Sequence, residues 1–281
     1  MIHLSSSSAA TGAVALIGGG NMARSLISGW VAHGITPSNI HVAEPLGELR
    51  ETLTRDFGVS THTDALDAVQ NADLWLFAVK PQVMHRVCET LAQEAQHRRP
   101  LAVSIAAGVT AAQIEHWLGD RIAVIRCMPN TPALLGTGVT GLYANDIANN
   151  TQRDSADRLL AAVGITVWIE NETLMDAVTA VSGSGPAYAF FLAEAMEAAA
   201  IAEGLPATEA RALVLHTLFG AARMLLESGE SPAELRRKVT SPGGTTQAAI
   251  EALKTGGFEA LINRAIHAAR ERGRTLAALN D

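Results

Sequence analysis

Apolar positions along the first 170 residues follow two alternating rhythms. Short unbroken apolar runs give way to stretches in which apolar side chains recur every third or fourth position. Ala13-Val14-Ala15-Leu16-Ile17 reads as a buried strand, and behind it Met22, Leu26, Ile27 and Trp30 share one helix face. The same alternation predicts strands over 39–44, 59–61, 74–79, 101–105 and 122–127, with helices over 64–70, 83–95 and 111–118. Runs such as Leu74-Trp75-Leu76-Phe77-Ala78-Val79 suit strands covered on both faces, and therefore a parallel sheet. Gly136, Gly138 and Gly141 introduce another strand, 154–163 reads as helix, and 165–169 as the last strand. The pattern is that of a doubly wound α/β unit.

From residue 171 onward no strand pattern returns and the helices become rich in alanine. Ala210, Leu213, Val214, Thr217, Leu218, Ala221, Met224 and Leu225 lie on one helical face. Ser231-Pro232-Ala233-Glu234 is a capping box with proline at the first helical position, and that helix stops at Pro242-Gly243-Gly244. Another helix starts at Thr245 and a final one covers 258–279. The expected organisation is thus a tail over 1–12, a nucleotide-binding domain over 13–170, and an all-helical domain over 171–281. Residues 187–201 are apolar or small nearly all round, more than one helical layer can bury, which predicts a second subunit. Glu194 and Glu197 interrupt that run, so it does not read as a membrane span.

Composition narrows the function classes. Hydrophobic residues make up 48% and aromatics only 4%, so the interior is built from aliphatic side chains and alanine. A formal net charge of −7 without any Lys/Arg cluster argues against nucleic acid or an anionic membrane as partner. The 2 cysteines, Cys88 and Cys127, are too few for a disulfide scaffold and point to the cytoplasm; no zinc spacing is present. The serine-rich segment 1–12 lacks the basic and apolar regions of a signal peptide and reads as a frayed tail.

The candidate chemistry begins where the first strand ends. Gly18, Gly20 and Ala23 fit the pattern G-x-G-x-x-G/A between strand and helix, the context that makes it a dinucleotide-binding turn of a Rossmann-type domain. The first glycine permits a tight turn, the second lets backbone approach a pyrophosphate, and the small third residue lets helix pack on strand. Amides at the helix start then face the phosphates. Glu44 lies 26 positions beyond Gly18, where an acid would bind the adenosine ribose of NAD and repel the extra phosphate of NADP. Arg50 could instead meet that phosphate, or both could be solvated surface charges. Lys80 follows a buried strand, at the sheet edge where cofactors pass. The Met128-Pro129-Asn130-Thr131-Pro132 loop is either a functional or a plain connection.

In Ser241-Pro242-Gly243-Gly244-Thr245-Thr246, two glycines precede a helix start and hydroxyls surround it. This is a second anion site, for a carboxylate, or simply a helix capped by Ser or Thr. Ser182-Gly183-Ser184-Gly185-Pro186 is either a similar nest or a break between two helices, and the break is the favoured reading. No catalytic triad or paired carboxylates stand out, and His216 and His267 fall mid-helix as surface or packing residues. A site lacking strong acid or base suits an imine, whose iminium form accepts hydride readily.

Taken together, Ile17-Gly18-Gly19-Gly20-Asn21-Met22, Ala78-Val79-Lys80-Pro81-Gln82, Ser104-Ile105-Ala106-Ala107-Gly108, the 126–132 loop, the 180–187 segment and the Gly-Gly-Thr-Thr turn resemble the pyrroline-5-carboxylate reductases. The resemblance implies reduction of the cyclic imine 1-pyrroline-5-carboxylate to L-proline by NAD(P)H, with NADPH the usual family reductant and NADH admitted by Glu44. It implies that Ile17 to Met22 hold the pyrophosphate and that Ala78, Val79, Lys80, Pro81, Ile105, Ala106 and Ala107 line ribose and nicotinamide, with Lys238 among the cofactor residues. Gly244, Thr245 and Thr246 would take the substrate carboxylate, Thr246 as the catalytic residue beside the ring nitrogen, and Glu172 would be a substrate-side acid. It further implies homodimers through interleaved C-terminal helices, assembled into decamers. A β-hydroxyacid dehydrogenase would need a motif-borne lysine in the helical part, where only Lys238 and Lys254 occur, in no such motif. A redox-sensing nucleotide binder would have no use for a second carboxylate site.

Overall fold

The computed structural model describes residues 12–278, so the expected tail, except Gly12, lies outside the described residues. Two compact units emerge: one formed by residues up to Gly183 with those from Ala269, the other by 184–268.

The first unit is built on an eight-stranded sheet in the order β3-β2-β1-β4-β5-β6-β7-β8. Its strands are β1 (Val14–Ile17), β2 (Ile40–Ala43), β3 (Ser60–His62), β4 (Leu74–Phe77), β5 (Leu101–Ser104), β6 (Ala123–Met128), β7 (Gly138–Ala144) and β8 (Gly164–Trp168). The six strands β1 to β6 run parallel, as the apolar runs predict. β7 is antiparallel to β6, a reversal the strand pattern does not reveal. Only residues 129–137 join those two strands, too short a link for a helical crossover, and Pro129 and Pro132 shape it into one 3₁₀ segment. β8 returns parallel to β7.

Alternation along each strand sorts the core into two layers. Val14 and Leu16 face α1 (Asn21–Ala32), α2 (Gly47–Phe57) and α6 (Asn150–Ala161), through Leu26, Ile27, Trp30, Leu53 and Leu159. Ala15 and Ile17 face α3 (Ala65–Val69), α4 (Pro81–Arg98) and α5 (Ala111–Trp117), through Val69, Met84, Leu91 and Ile114. The two buried indoles find acceptors, Trp30 Nε1 donating to the Leu159 carbonyl at 2.7 Å and Trp75 Nε1 to that of Ala72 at 2.9 Å.

This unit continues past Glu170, the boundary suggested by the end of the strand pattern, as far as Gly183. The physical reason is burial: Met175 of α7 (Met175–Val178) and Ala180 of the following π-turn are fully enclosed. Arg126 of β6 also binds the segment through Glu172 and Asp176. The break expected at 182–186 is found, as the π-turn Thr179–Gly183 and then Ser184 ahead of the next helix.

The second unit carries α8 (Gly185–Ala202), α9 (Ala207–Glu227), α10 (Pro232–Lys238), α11 (Thr245–Thr255) and the first part of α12 (Phe258–Ala278). Ser231 and Glu234 form the predicted capping box of α10. The face read on α9 is covered in the single chain only at Ala210 and Val214, while Leu213, Met224 and Leu225 stay about half exposed. Phe190, Phe191 and Phe219 are more exposed still, at 68%, 71% and 63%. No second apolar layer exists within this unit to receive them. No helix among the described residues is long and apolar enough to cross a membrane.

Candidate active site

The geometry of the glycine turn follows from two strand ends that pin it. Gly18 N–H donates to the Ala43 carbonyl at 2.8 Å, and Ala78 N–H donates to the Ile17 carbonyl at 2.8 Å, so the turn after β1 is fastened to β2 and β4. Between these ties Gly18 takes φ +102°, and a Cβ there would lie 2.7 Å from the Ala78 carbonyl oxygen. Gly20 is the N-cap of α1, with no side-chain cap, and a Cβ on it would meet nothing within 4 Å. Ala23 is buried, letting α1 lie close to the sheet. The first turn of α1 therefore has no side chain of the chain's own capping it.

That space is a cleft of about 590 Å³, walled by Ile17, Gly18, Gly19 and Gly20, by Ala43, Glu44 and Pro45, and by Ala78, Val79 and Lys80. A pyrophosphate fits it: the turn is glycine where backbone must come close, it leads into the uncapped start of α1, and Lys80 and Arg86 supply positive charge. Asn21 and Met22 form the first turn of α1, and Pro81 the first position of α4 behind Lys80, but none of the three walls the cleft. Ile105, Ala106 and Ala107 follow β5, next to β4 in the sheet but outside this cleft's walls; Ile105 N–H donates to the Phe77 carbonyl at 3.1 Å.

The far wall holds residues that the motifs do not reveal: Thr63, Asp64 and Ala65 after β3, and Val83, Arg86, Val87 and Thr90 along α4. The usable signal for the first group was positional, since ligands gather at the carboxyl ends of parallel strands. On α4 the lining positions 83, 86, 87 and 90 have helical spacing, which looks like any partly apolar face.

Glu44 is 7% exposed despite its charge. Its Oε2 accepts the Gly19 N–H at 2.9 Å and its Oε1 accepts the Leu46 N–H at 3.0 Å. Arg50 reaches back to the same loop, donating from Nη1 to the carbonyls of Glu44 at 2.7 Å and Pro45 at 2.8 Å.

Glu172 is engaged within the sheet unit. Its Oε1 accepts the Ala111 N–H at 2.6 Å, at the start of α5, and pairs with Arg126 Nη1 at 3.2 Å. Both cysteines are enclosed; burial pushes the Cys88 thiol up to about 12 and raises Cys127 as well, so neither supplies a thiolate at neutral pH.

In the helical unit the Gly-Gly-Thr-Thr turn is not capped by Ser241 or a threonine. Gly244 is the N-cap of α11 and makes no side-chain cap. Gly243 takes φ +71°, its N–H donates to Gln247 Oε1 at 2.7 Å, and Gly244 N–H donates to the Ser241 carbonyl at 3.1 Å. Gly244 and Thr246 are half-buried and Thr245 is exposed. An uncapped helix start of this kind suits a carboxylate. Lys238, at the end of α10, pairs with Glu230 in the same unit, and His216 and His267 are exposed.

These features can be set beside known proteins. Residues 13–108 match the family model described as NADP oxidoreductase, coenzyme F420-dependent, and 172–276 match the one described as pyrroline-5-carboxylate reductase dimerisation. The chain is 48% identical to pyrroline-5-carboxylate reductase of Pseudomonas aeruginosa, across 94% of this chain and 96% of that one. It is 42% identical to the Synechocystis enzyme of that name, across 93% and 97%. Among solved structures, that of a pyrroline-5-carboxylate reductase from Coxiella burnetii superposes with TM-score 0.91 at 40% identity, covering 95% and 98% of the two chains. A Plasmodium falciparum pyrroline carboxylate reductase with NADP bound gives 0.84 at 25% identity, covering 95% and 99%. A glycine-turn cleft in one unit, an uncapped Gly-Gly-Thr-Thr helix start in the other, and likeness along nearly the whole length thus lead to one assignment: the chain is a member of the pyrroline-5-carboxylate reductase family.

Proposed function

We propose that this protein reduces 1-pyrroline-5-carboxylate to L-proline at the expense of NAD(P)H. The observation that carries the reading is the uncapped helix start at Gly244 in a chain that also keeps the dinucleotide turn. One carboxylate-binding and one pyrophosphate-binding element are what this reaction asks for. Bound NAD(P)H supplies a hydride to the imine carbon. The chain's own part is to hold and orient. The amides that open α11 fix the substrate carboxylate, and so the ring's attitude, in advance of transfer. The Thr246 hydroxyl hydrogen-bonds the ring nitrogen; an aliphatic hydroxyl is too weak an acid to protonate it, so the proton comes from solvent or arrives with the iminium. Glu172 acts at one remove, as a positioning residue, by holding the Ala111 amide where α5 begins. Lys238 is assigned to the cofactor side on the family resemblance alone.

A dimerisation domain is present. The exposed phenylalanines of α8 and α9 support pairing with a second copy, and the family resemblance extends this to a decamer working in the cytoplasm.

The direct test is oxidation of NAD(P)H in the presence of chemically prepared pyrroline-5-carboxylate, with the oxo acids that correspond to β-hydroxyacids, and no substrate, as controls. Turnover with the imine alone is the expected result, and equal turnover with an oxo acid would overturn the reading. Thr246→Ala should lower kcat by about tenfold to a hundredfold, the worth of a hydrogen bond to a charged group, while the Kd for the cofactor stays put. Matching losses in both would take Thr246 out of the chemistry.

A further inference from the structure

Resting on the dinucleotide reading of the cleft, we infer that Glu44 makes NADH, not NADPH, the preferred reductant of this protein. β2 lies beside β1 in the sheet, and its carboxyl end is where a doubly wound domain meets the adenosine ribose. There the wall is a carboxylate that cannot easily turn away. Its two oxygens hold the Gly19 and Leu46 amides at 2.9 and 3.0 Å. Its Cβ and Cγ lie close against Gly19, 3.1 Å from where a side chain on that glycine would begin. Swinging outward would release both donors and uncover the glycine turn.

A ribose 2′-hydroxyl can donate to such a carboxylate. A 2′-phosphate has no proton to offer near neutral pH and brings negative charge against a group that is 7% exposed and therefore weakly screened. Arg50 is the opposing influence. Its guanidinium sits on the same loop, but Nη1 is spent on the Glu44 and Pro45 carbonyls, and it is more exposed than the carboxylate. With the carboxylate in place the phosphate meets the acid on the cleft wall; with it removed, the Arg50 guanidinium is left as a cation on the same loop.

The experiment is direct titration of the full-length protein with NADH and with NADPH, without imine, following the reduced-nicotinamide fluorescence. Wild type should bind NADH at least about tenfold more tightly. Glu44→Ser should shift the ratio of the two Kd values toward NADPH by about tenfold or more, and adding Arg50→Ala should cancel most of that gain. Glu44→Gln keeps the size while removing the charge, and it should shift the ratio in the same direction, with thermal melts confirming that each variant is folded. Wild type binding NADPH as tightly as NADH, or a folded Glu44→Ser protein with an unaltered ratio, would overturn the inference. Binding of neither nucleotide would sink the dinucleotide reading and this inference with it. The expected ratios without imine reduction would remove the proposed reaction and leave Glu44 standing.

Discussion

Gly18→Ala should weaken binding of the reduced cofactor by more than about a hundredfold, the largest effect of any single methyl in the cleft. The residue sits at φ +102°, and the new Cβ would lie 2.7 Å from the Ala78 carbonyl oxygen and 2.9 Å from its carbon. Neither partner can give way. Ala78 is tied to Ile17 by its own amide, and Gly18 to Ala43 by its amide, each at 2.8 Å. Left-handed strain costs about 1–3 kcal/mol and the overlap about 1–3 kcal/mol more. The chain relieves both by moving the turn, which displaces the Gly19 and Gly20 backbone from the pyrophosphate position. A fluorescence titration reads the affinity, and a thermal melt should show a loss of several degrees. Gly20→Ala separates the two effects. Its backbone is unstrained at φ −71° and its Cβ meets nothing within 4 Å, so the melt should not move while the methyl obstructs the incoming pyrophosphate and weakens binding. A Gly18→Ala protein that bound NADH like wild type would show that this turn does not hold the cofactor.

What the sequence disclosed, and what it hid, divides along the range of the interactions. Strand, turn and helix around Gly18 are legible because each depends on neighbours within a few residues: the run into Ile17, the glycines, and the recurrence from Met22 to Trp30. α2 does carry an apolar period, Leu49, Leu53 and Phe57 at every fourth position, but it is faint because only Leu53 is fully buried and the positions between are polar or charged. The antiparallel β7 is hidden for a different reason: strand direction is set by how far the connection must travel, and a seven-residue strand looks alike either way round. On α9 the apolar stripe is real, yet Leu213 and Met224 remain about half exposed, since no part of the single chain among the described residues covers them. The cleft motif located Glu44 but not its grip on Gly19, a hydrogen bond across 25 residues that composition at either end does not announce. Thr63 to Ala65 joined the wall through sheet order alone.

The same long range governs the second large expectation, that Arg126→Ala lowers stability by about 3–5 kcal/mol, on the order of 10 °C in Tm. Arg126 is 5% exposed, on a central strand. It faces Glu172 Oε1 at 3.2 Å and Asp176 Oδ1 at 3.6 Å, carboxylates whose side chains are themselves only 20% and 17% exposed. Removing the guanidinium leaves two like charges together in a poorly solvated place, and the penalty is that of uncompensated charge more than of lost attraction. Replacing all three groups by neutral ones, Arg126→Met with Glu172→Gln and Asp176→Asn, should therefore recover most of the stability, which a loss of packing alone would not allow. The local consequence reaches the start of α5. Glu172 Oε1 also accepts the Ala111 amide at 2.6 Å, so a displaced carboxylate frees the first turn of α5, just beyond Ile105 to Ala107. Hydrogen exchange at Ala111 should accelerate in Arg126→Ala well before global unfolding does. If that amide keeps its protection while the melt falls, the Arg126 network acts on stability alone and Glu172 has no positioning role at the start of α5.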